Sequence, residues 1–310
     1  MIGMASASPR VLNFGSLNID YVYVVDHIAR EGETISGRSF EIFAGGKGAN
    51  QSVALAKAGA TVWHAGRIGR DGQWLKVKLD ESGVDSSWVT ADEDSRTGHA
   101  VIQVDRAGKN AIVLYPGTNW EIDRAQIDRA LASFGDGDVL LLQNEINELP
   151  YLIEAGRERG MIVCFNPAPF EETVLDFPLD SVHVLIVNEV EGHGLSGGGR
   201  CSPDEIMSSL ADRFPDADIV LTLGDRGVRG YVSGERISLD AVRTRVADTT
   251  AAGDTFIGYL WACRTRGQSW SESLATANRA AALCVGVPGA MDSIPSLSQV
   301  MAFTDNLDTR

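Results

Sequence analysis

A run of very small residues precedes an acidic side chain at positions 248–254, which read Asp-Thr-Thr-Ala-Ala-Gly-Asp. The next residues, 255–262, have helical periodicity, so this segment is predicted to be a turn that delivers a helix N-terminus. Ala251, Ala252 and Gly253 leave the unpaired N–H groups of the first helical turn open to an anion. The helix dipole favours an ionised Asp254. A proton acceptor beside an anion hole suits phosphoryl transfer, although an ordinary N-cap has the same composition.

A second glycine-rich helix start occupies residues 45–51, which read Gly-Gly-Lys-Gly-Ala-Asn-Gln. It lacks the Gly-Lys-Ser/Thr of a Walker loop and the Gly-x-Gly-x-x-Gly of a dinucleotide fold. The first predicted strand, Val11–Phe14, leads into Gly-Ser-Leu-Asn, which disfavours a nicotinamide enzyme. Two helix starts of this kind predict two binding sites for phosphate or hydroxyl groups.

The elements that must position these segments alternate between apolar strands and helices. Strands are predicted at Val139–Leu142, Ile162–Phe165, Val184–Val187 and Ile219–Leu223. Helices are predicted at Gly48–Gly59, Trp74–Ser82, Leu149–Arg159, Pro203–Phe214, Gly253–Arg266 and Trp270–Val285. Continuous apolar strands separated by helices indicate an α/β fold with a mostly parallel sheet covered on both faces.

The N-terminal half contains a second group of short strands with little helix between them. They are predicted at Tyr21–Val25, Ser39–Phe43, Ala100–Val104 and Ala111–Leu114. We expect them to form a small antiparallel sheet inserted into the larger unit, where it can act as a lid. An exposed outer face of such a lid would be buried by pairing with a second copy of the chain.

The composition restricts the class of protein. The 310 residues are 44% hydrophobic and 22% charged, as in a globular protein, and 27 basic against 42 acidic side chains give a net charge of −15. This charge argues against nucleic-acid and anionic-membrane partners. No apolar stretch is long enough for a membrane span, and Met1–Arg10 has no apolar signal-peptide core. The dispersed residues Cys164, Cys201, Cys263 and Cys284 predict reduced thiols in a cytoplasmic protein.

Five segments in order resemble the ribokinase-like, PfkB-type carbohydrate kinases. The two helix starts match the N-terminal and C-terminal signatures of that family, and three shorter motifs lie among them. These are Gly15-Ser-Leu-Asn-Ile-Asp20, Asn188-Glu-Val-Glu191 and Thr222-Leu-Gly-Asp-Arg-Gly227. The resemblance runs from about Val11 to Pro295. It implies one three-layer domain over residues 1–310, with a lid of inserted strands at about 17–44 and 96–118.

The resemblance assigns Asp254 as the base that deprotonates a sugar hydroxyl, with Ala251, Ala252 and Gly253 as the anion hole. It places a second group of residues on the sugar hydroxyls: Asn18, Asp20, Gly46, Lys47, Asn50 and Glu145. Carboxylate, amide and ammonium groups can share the donors and acceptors of a polyol. Glu145 follows the strand Val139–Leu142 at its carboxyl end, where Glu148 also lies.

A third group would bind nucleotide and metal. By resemblance, Asn188 and Glu191 position Mg²⁺ and phosphate through water, although a helix N-cap followed by a solvated Glu has the same residues. The positions implied for ATP are Asn188, Thr222, Gly224, Asp225, Gly227 and Asn278. Asn278 lies in an Ala-rich helix, where a buried amide needs a partner.

The resemblance also implies a K⁺ site beside the anion hole. Its positions are Asp248, Thr250, Cys284, Val287, Gly289 and Ser293, several through backbone carbonyls. Val287-Pro288 replaces a more polar pair of the family. His99, in the lid, stands where the family is usually apolar, so it either alters substrate preference or points to solvent.

The implied reaction is transfer of the ATP γ-phosphoryl group to the 5-hydroxyl of D-ribose, in a protein that pairs through its lids. Kinases for fructose-type sugars, ketodeoxygluconate or nucleosides remain alternatives, and a non-catalytic sugar or nucleotide sensor is a further one. Retention of Asp254, Lys47 and the Asn188/Glu191 pair argues against the sensor.

Overall fold

The computed structural model describes residues 9–198 and 202–303, so the tail before Pro9 and Cys201 lie outside the described part. Its strands are β1 (Val11–Phe14), β2 (Asn18–Val24), β3 (Ser39–Gly45), β4 (Val62–Gly69), β5 (Asp85–Asp92), β6 (Gly98–Val104), β7 (Asn110–Tyr115), β8 (Val139–Gln143), β9 (Ile162–Asn166), β10 (Val184–Asn188), β11 (Asp218–Thr222), β12 (Val228–Val232) and β13 (Glu235–Leu239). Its α-helices are α1 (Lys47–Lys57), α2 (Gln73–Glu81), α3 (Arg124–Leu131), α4 (Leu149–Glu158), α5 (Glu189–Leu195), α6 (Pro203–Arg213), α7 (Ala252–Thr265), α8 (Trp270–Cys284) and α9 (Leu297–Ala302).

The large sheet has the strand order β13-β12-β11-β10-β9-β8-β1-β4-β5. Neighbouring strands from β5 to β11 pair in parallel, and β12 and β13 close one edge as antiparallel strands. Helices connect most of the parallel strands, as a parallel sheet requires. The predicted α/β architecture with a mostly parallel sheet is confirmed.

Two apolar cores cover the two faces of this sheet. Alternate strand residues divide between them: Val139 and Leu141 pack with α1, α7 and α8, whereas Leu140 and Leu142 pack with α3, α4 and α6. Because strand side chains alternate between faces, continuous apolar strands are what a sheet buried on both sides needs. The result is a helix–sheet–helix sandwich of three layers.

The small sheet is mixed, and the expectation of an antiparallel sheet was wrong. Its order is β3-β2-β6-β7, in which β2 pairs with β6 in parallel and the two outer pairs are antiparallel. β2 and β6 follow β1 and β5, two parallel strands of the large sheet. The segments after β1 and β5 therefore leave the same edge of the large sheet in the same direction. For this reason β2 and β6 pair in parallel.

Most predicted elements are present with ends shifted by one to three residues. The largest shift is at β2, which begins at Asn18 rather than Tyr21. Sequence patterns missed β4, β5, α3, α5, α9 and the antiparallel pair β12–β13. Cys164, Cys263 and Cys284 are free and buried, as predicted. None of the described helices combines the length and hydrophobicity needed to cross a bilayer.

Candidate active site

The two glycine-rich helix starts meet at the carboxyl-end edge of the large sheet. Further along, α1 and α7 pack so closely that a Cβ on Gly258 would collide with Ala54. Asn50 precedes Ala54 by four residues, and Asp254 precedes Gly258 by four. Since residues four apart lie one above the other on a helix, this contact brings Asn50 and Asp254 together one turn nearer the N-termini.

Asp254 lies in the first turn of α7 and is buried. Its Oδ2 accepts a hydrogen bond from Asn50 Nδ2 at 3.0 Å, and its Oδ1 accepts one from Gln51 Nε2 at 2.9 Å. Both donors come from α1. Asn50 Oδ1 is buried without a partner among the described residues, so the site contains an unsatisfied acceptor.

The start of α7 has the open backbone that an anion hole needs. Ala251 is the N-cap and has a left-handed φ of 59°, and a Cβ on Gly253 would meet nothing within 4 Å. The Ala252 N–H donates to the Thr249 carbonyl in a long 3.3 Å hydrogen bond. In the described chain, the Gly253 N–H has no backbone acceptor. At Gly253 an unpaired N–H thus lies next to open space, where an anion can bind.

Lys47 provides the positive charge of the site. Its backbone N–H donates to Glu145 Oε2 at 2.9 Å, and Ser16 Oγ donates to the same oxygen at 2.5 Å. Burial opposes the charge of Lys47, but the carboxylates of Asp254, Glu145 and Glu191 outweigh it and raise its pKa. Lys47 is therefore not a solvated surface charge.

Burial raises the pKa of Glu145, against the opposing effect of Lys47. Glu148, in contrast, is the N-cap of α4 and pairs with Arg124 at 2.8 Å. Of the two acids that follow β8, Glu145 therefore contacts the start of α1, and Glu148 does not belong to the site.

Asp20 and Asn18 enter the site from β2 of the small sheet. Burial, with a further contribution from the Glu145 carboxylate, raises the pKa of Asp20 to about 7. The structure assigns the Asp20 carboxylate no hydrogen-bond partner among the described residues. Asn18 is buried, and its Oδ1 accepts from Asn119 Nδ2 at 2.8 Å. Gly46, the N-cap of α1 with a φ of 94°, lies where a side chain would collide with the Ser16 carbonyl.

His99 belongs to the opposite face of the small sheet. It pairs in register with Ile19, so its side chain lies on the other side from that of Asp20. Its ring packs between Tyr21 and Tyr115, at centroid distances of 5.8 Å and 5.1 Å. His99 is half-buried, so it neither reaches the sugar side of the lid nor extends freely into solvent.

Asn188 and Glu191 form a capping box at the start of α5. Asn188 N and Nδ2 each donate to the Glu191 carboxylate at 2.8 Å, and Glu191 N donates to Asn188 Oδ1 at 3.0 Å. Asn188 is thus a helix N-cap, but Glu191 is buried rather than solvated. Burial raises the pKa of Glu191, and the hydrogen bond from the Asn188 backbone opposes this shift.

The Thr222–Gly227 segment follows β11 directly beside Asn188, which pairs in register with Thr222. Thr222 Oγ1 donates to the Val187 carbonyl at 3.3 Å, and Asp225 is exposed. Gly224 and Gly227 have left-handed φ values of 58° and 87°. Asn278 Nδ2 donates to the Asp240 carbonyl at 2.7 Å, and Asn278 is half-buried rather than buried as predicted, because its helix face borders the loop after β13.

Five of the six candidate cation residues lie together. Asp248 accepts from Thr250 Oγ1 at 2.7 Å and from Gly289 N at 3.0 Å. Cys284 Sγ lies 3.7 Å from the Thr250 carbonyl and 3.1 Å from Ser293 Oγ. Val287 differs in being 48% exposed, although its N–H donates to the Cys284 carbonyl at 3.1 Å.

Sequence patterns missed the polar residues beneath Asp254. Besides Gln51, they are Asn13, Gln143 and Asn166, all buried and all at or near the carboxyl ends of strands. A signal exists in retrospect, because each interrupts an otherwise apolar strand on the face toward α1. A polar residue so placed needs a partner, which the sequence alone does not name.

Comparisons with known proteins agree with this arrangement. The profile of the family described as pfkB family carbohydrate kinase matches residues 8–297. The ribokinase of Haemophilus influenzae is 31% identical over 299 residues, which span 94% of this chain and 97% of that protein.

Two solved structures have similar folds. The ribokinase of Cryptococcus neoformans var. grubii serotype A in complex with ADP is 36% identical with a TM-score of 0.83, over 95% of this chain and 99% of that chain. The Arabidopsis thaliana ribokinase complexed with ribose and ATP is 30% identical with a TM-score of 0.83, over 96% and 100%.

Proposed function

The chain belongs to the pfkB family of carbohydrate kinases, and we propose from this premise that it transfers the γ-phosphoryl group of ATP to the 5-hydroxyl of D-ribose. The observation that carries the proposal is the buried Asp254 carboxylate, oriented by Asn50 and Gln51 beside the open start of α7. The named relatives support ribose as the sugar.

In this reaction Asp254 takes the proton of the attacking hydroxyl. The free N–H of Gly253, with those of Ala251 and Ala252, stabilises negative charge on the transferred phosphoryl group. Ala252 contributes after giving up its long hydrogen bond to Thr249. Base and anion hole lie on one helix turn, so the hydroxyl and the phosphoryl group are held on one line of attack.

The sugar lies between the lid and the start of α1. Asn18, Asp20 and Gly46 come from the lid side, whereas Lys47 and Asn50 come from α1 and Glu145 from the loop after β8. Lys47 donates, the carboxylates accept, and the unpartnered Asn50 Oδ1 accepts a further hydroxyl. The half-buried Asp20 gains partners when a polyol binds.

The nucleotide lies along the carboxyl ends of β10 and β11. Thr222, Gly224, Asp225 and Gly227 line it on one side, and Asn278 on the other. The donor set of Asn188 and Glu191 suits a hydrated Mg²⁺, because Glu191 Oε1 accepts one hydrogen bond and keeps a lone pair for a water. Mg²⁺ held there would help to neutralise the charge of the phosphates.

The oxygens of Asp248, Thr250 and Ser293 suit a hard monovalent cation such as K⁺, with Cys284 and Gly289 at its border. A cation bound here would stabilise the turn 248–251 by attracting these oxygens. Val287, which is exposed, would offer its carbonyl from the solvent side of this set.

We further propose that residues 1–310 form a single domain whose lid consists of the strands within 17–44 and 96–118, and that two chains pair through these lids. Support comes from Val113 and Tyr115, exposed apolar side chains of β7 on the face of the small sheet opposite Asp20. Pairing would remove this apolar surface from water.

A substrate panel tests the choice of sugar. ATP turnover is measured with D-ribose, 2-deoxy-D-ribose, fructose, 2-keto-3-deoxygluconate and nucleosides, with and without K⁺. We expect the highest kcat/KM with D-ribose and stimulation by K⁺. Turnover with another compound and none with ribose would overturn the ribose assignment while leaving a kinase, and turnover with no compound would support a sensor.

A further inference from the structure

A layer of buried polar side chains lies beneath Asp254, between the large sheet and α1. Asn13, Gln143 and Asn166 point from three neighbouring strands to the face that carries α1, and Gln51 points down from α1. Asn13 and Gln143 are completely buried, as is Gln51. Polar groups in such a place are usually hydrogen-bonded, and one that is not calls for an explanation.

The orientation of each amide in this layer follows in turn from a backbone carbonyl. The Gly48 carbonyl can only accept, so the Asn13 amide must present Nδ2 to it, at 2.7 Å. Asn13 Oδ1 then faces Gln143, which must present Nε2, at 2.9 Å. The same Nε2 donates to Gln51 Oε1 at 2.7 Å, so Gln51 turns its own Nε2 to Asp254.

The Ile186 carbonyl independently supports the orientation of Gln51 in which Nε2 faces Asp254. Asn166 Nδ2 donates to the Ile186 carbonyl at 2.9 Å, which leaves Asn166 Oδ1 as an acceptor. Gln51 Nε2 lies 3.4 Å from that oxygen. Amide orientations are inferred from such networks, and here two independent anchors, at Gly48 and Ile186, agree.

We propose that Asn13, Gln143 and Gln51 form a hydrogen-bond relay, in which Gln143 donates to both neighbours, and that this relay holds the Gln51 amide with its N–H toward Asp254. The relay makes these three positioning residues: none needs to touch the substrate, and they keep the carboxylate as an acceptor aimed at the incoming hydroxyl. This inference rests on the proposed role of Asp254 as the base.

The packing around Gln143 supports a dedicated position for that amide. Its Oε1 is buried without a partner in the described chain, and a Cβ on Gly15 would collide with it. An unsatisfied buried oxygen destabilises the folded state. A methionine of similar volume avoids that penalty, so selection for stability alone does not require glutamine here.

Single-turnover rates of phosphoryl transfer from ATP test the relay. Asp254→Asn is measured first, since loss of transfer establishes the base independently of the relay. Gln51→Met should then lower the rate about 10²-fold and Gln143→Met about 10-fold, because the carboxylate loses its orientation. KM for sugar and for ATP should stay within about 3-fold of the wild-type values.

Gln126→Met is the matched control. Gln126 is also buried, and its Nε2 donates to the Gly66 carbonyl at 2.7 Å, outside the relay. It should keep the rate within about 2-fold. Folded Gln51→Met and Gln143→Met proteins with wild-type rates would overturn the relay, as would an equal loss of rate in Gln126→Met.

NMR of the side-chain amides provides a readout that does not depend on those variants folding. In Asp254→Asn, the Nε2 signals of both Gln51 and Gln143 should shift, because a change at one end of the relay alters each donor along it. The Gln126 signal should not move. Shifts confined to Gln51, or absent from both, would contradict the relay.

Discussion

The ionisation of Asp20 opposes folding of the ligand-free protein. Burial, with the nearby Glu145, raises its pKa to about 7, whereas an unfolded aspartate titrates near ~3.9. The folded chain holds this proton more tightly, so stability is lost as the pH rises from about 4 to about 7. The carboxylate is thus maintained for the ligand rather than for the fold.

Asp20→Asn should therefore stabilise the ligand-free protein above pH 7, on the order of 1 kcal/mol in the free energy of unfolding, and have little effect near pH 4. The same change should raise KM for the sugar. Urea unfolding at pH 4.5 and pH 8, together with steady-state kinetics, measures both effects.

Asp94→Asn, in the exposed turn after β5, is the control and should change neither quantity. An Asp20→Asn protein that is less stable than the wild type at pH 8, or that binds sugar unchanged, would contradict this account of Asp20.

At the scale of elements, the contact between α1 and α7 sets the position of the base. Gly258 and Ala54 allow the two helices to approach closely, and Asp254 meets Asn50 one turn away. Gly258→Val should separate the helices, destabilise the protein by ~1–3 kcal/mol and lower kcat about 10-fold or more. Thermal unfolding and kcat at a temperature where the variant is folded test this.

Ala275→Val is the control for this change. It places the same β-branched side chain in α8, at a half-buried position away from that contact. We expect only the small loss of stability from helix propensity and a normal kcat. A folded Gly258→Val protein with wild-type kcat would show that the helix contact does not position Asp254.

The two helix starts and most strands could be predicted from the sequence, because they depend on residues close together in the chain. A small-residue turn before an amphipathic helix, and Asp254 within it, are local patterns. The partners of Gln143 are not: its bond to Asn13 joins residues 130 positions apart. No local pattern distinguishes such a pair from two unrelated buried amides.

The mixed pairing of the small sheet was unpredictable for the same reason. Alternating apolar residues indicated strands at β2 and β6, but their direction depends on how β1 and β5 leave the large sheet. Alternation specifies which side chains share a face, and topology specifies whether neighbouring strands are parallel.

At the scale of the whole molecule, pairing of two lids would cover the exposed apolar side chains of β7, an edge strand of the small sheet. Val113 is 70% exposed on β7, on the face opposite Asp20. If two lids pair, Val113→Lys should shift the protein from a dimer toward the 33.2 kDa monomer at micromolar concentration. Size-exclusion chromatography with light scattering measures the mass.

Val77→Lys is the matched control, since Val77 is 54% exposed on α2 and lies outside the lid. It should leave the mass unchanged. A wild-type protein that is monomeric at every concentration, or a Val113→Lys protein that stays dimeric, would contradict pairing through the lid.

The most direct test of the proposed chemistry combines one substitution with identification of the product. Wild-type protein and Asp254→Asn are incubated with ATP, Mg²⁺, K⁺ and D-ribose, and ³¹P NMR follows the phosphate. We expect the wild type to form ribose 5-phosphate, and Asp254→Asn to bind ribose with similar affinity while turning over ~10²–10⁴-fold more slowly. Undiminished transfer by folded Asp254→Asn would contradict the central claim that Asp254 is the base.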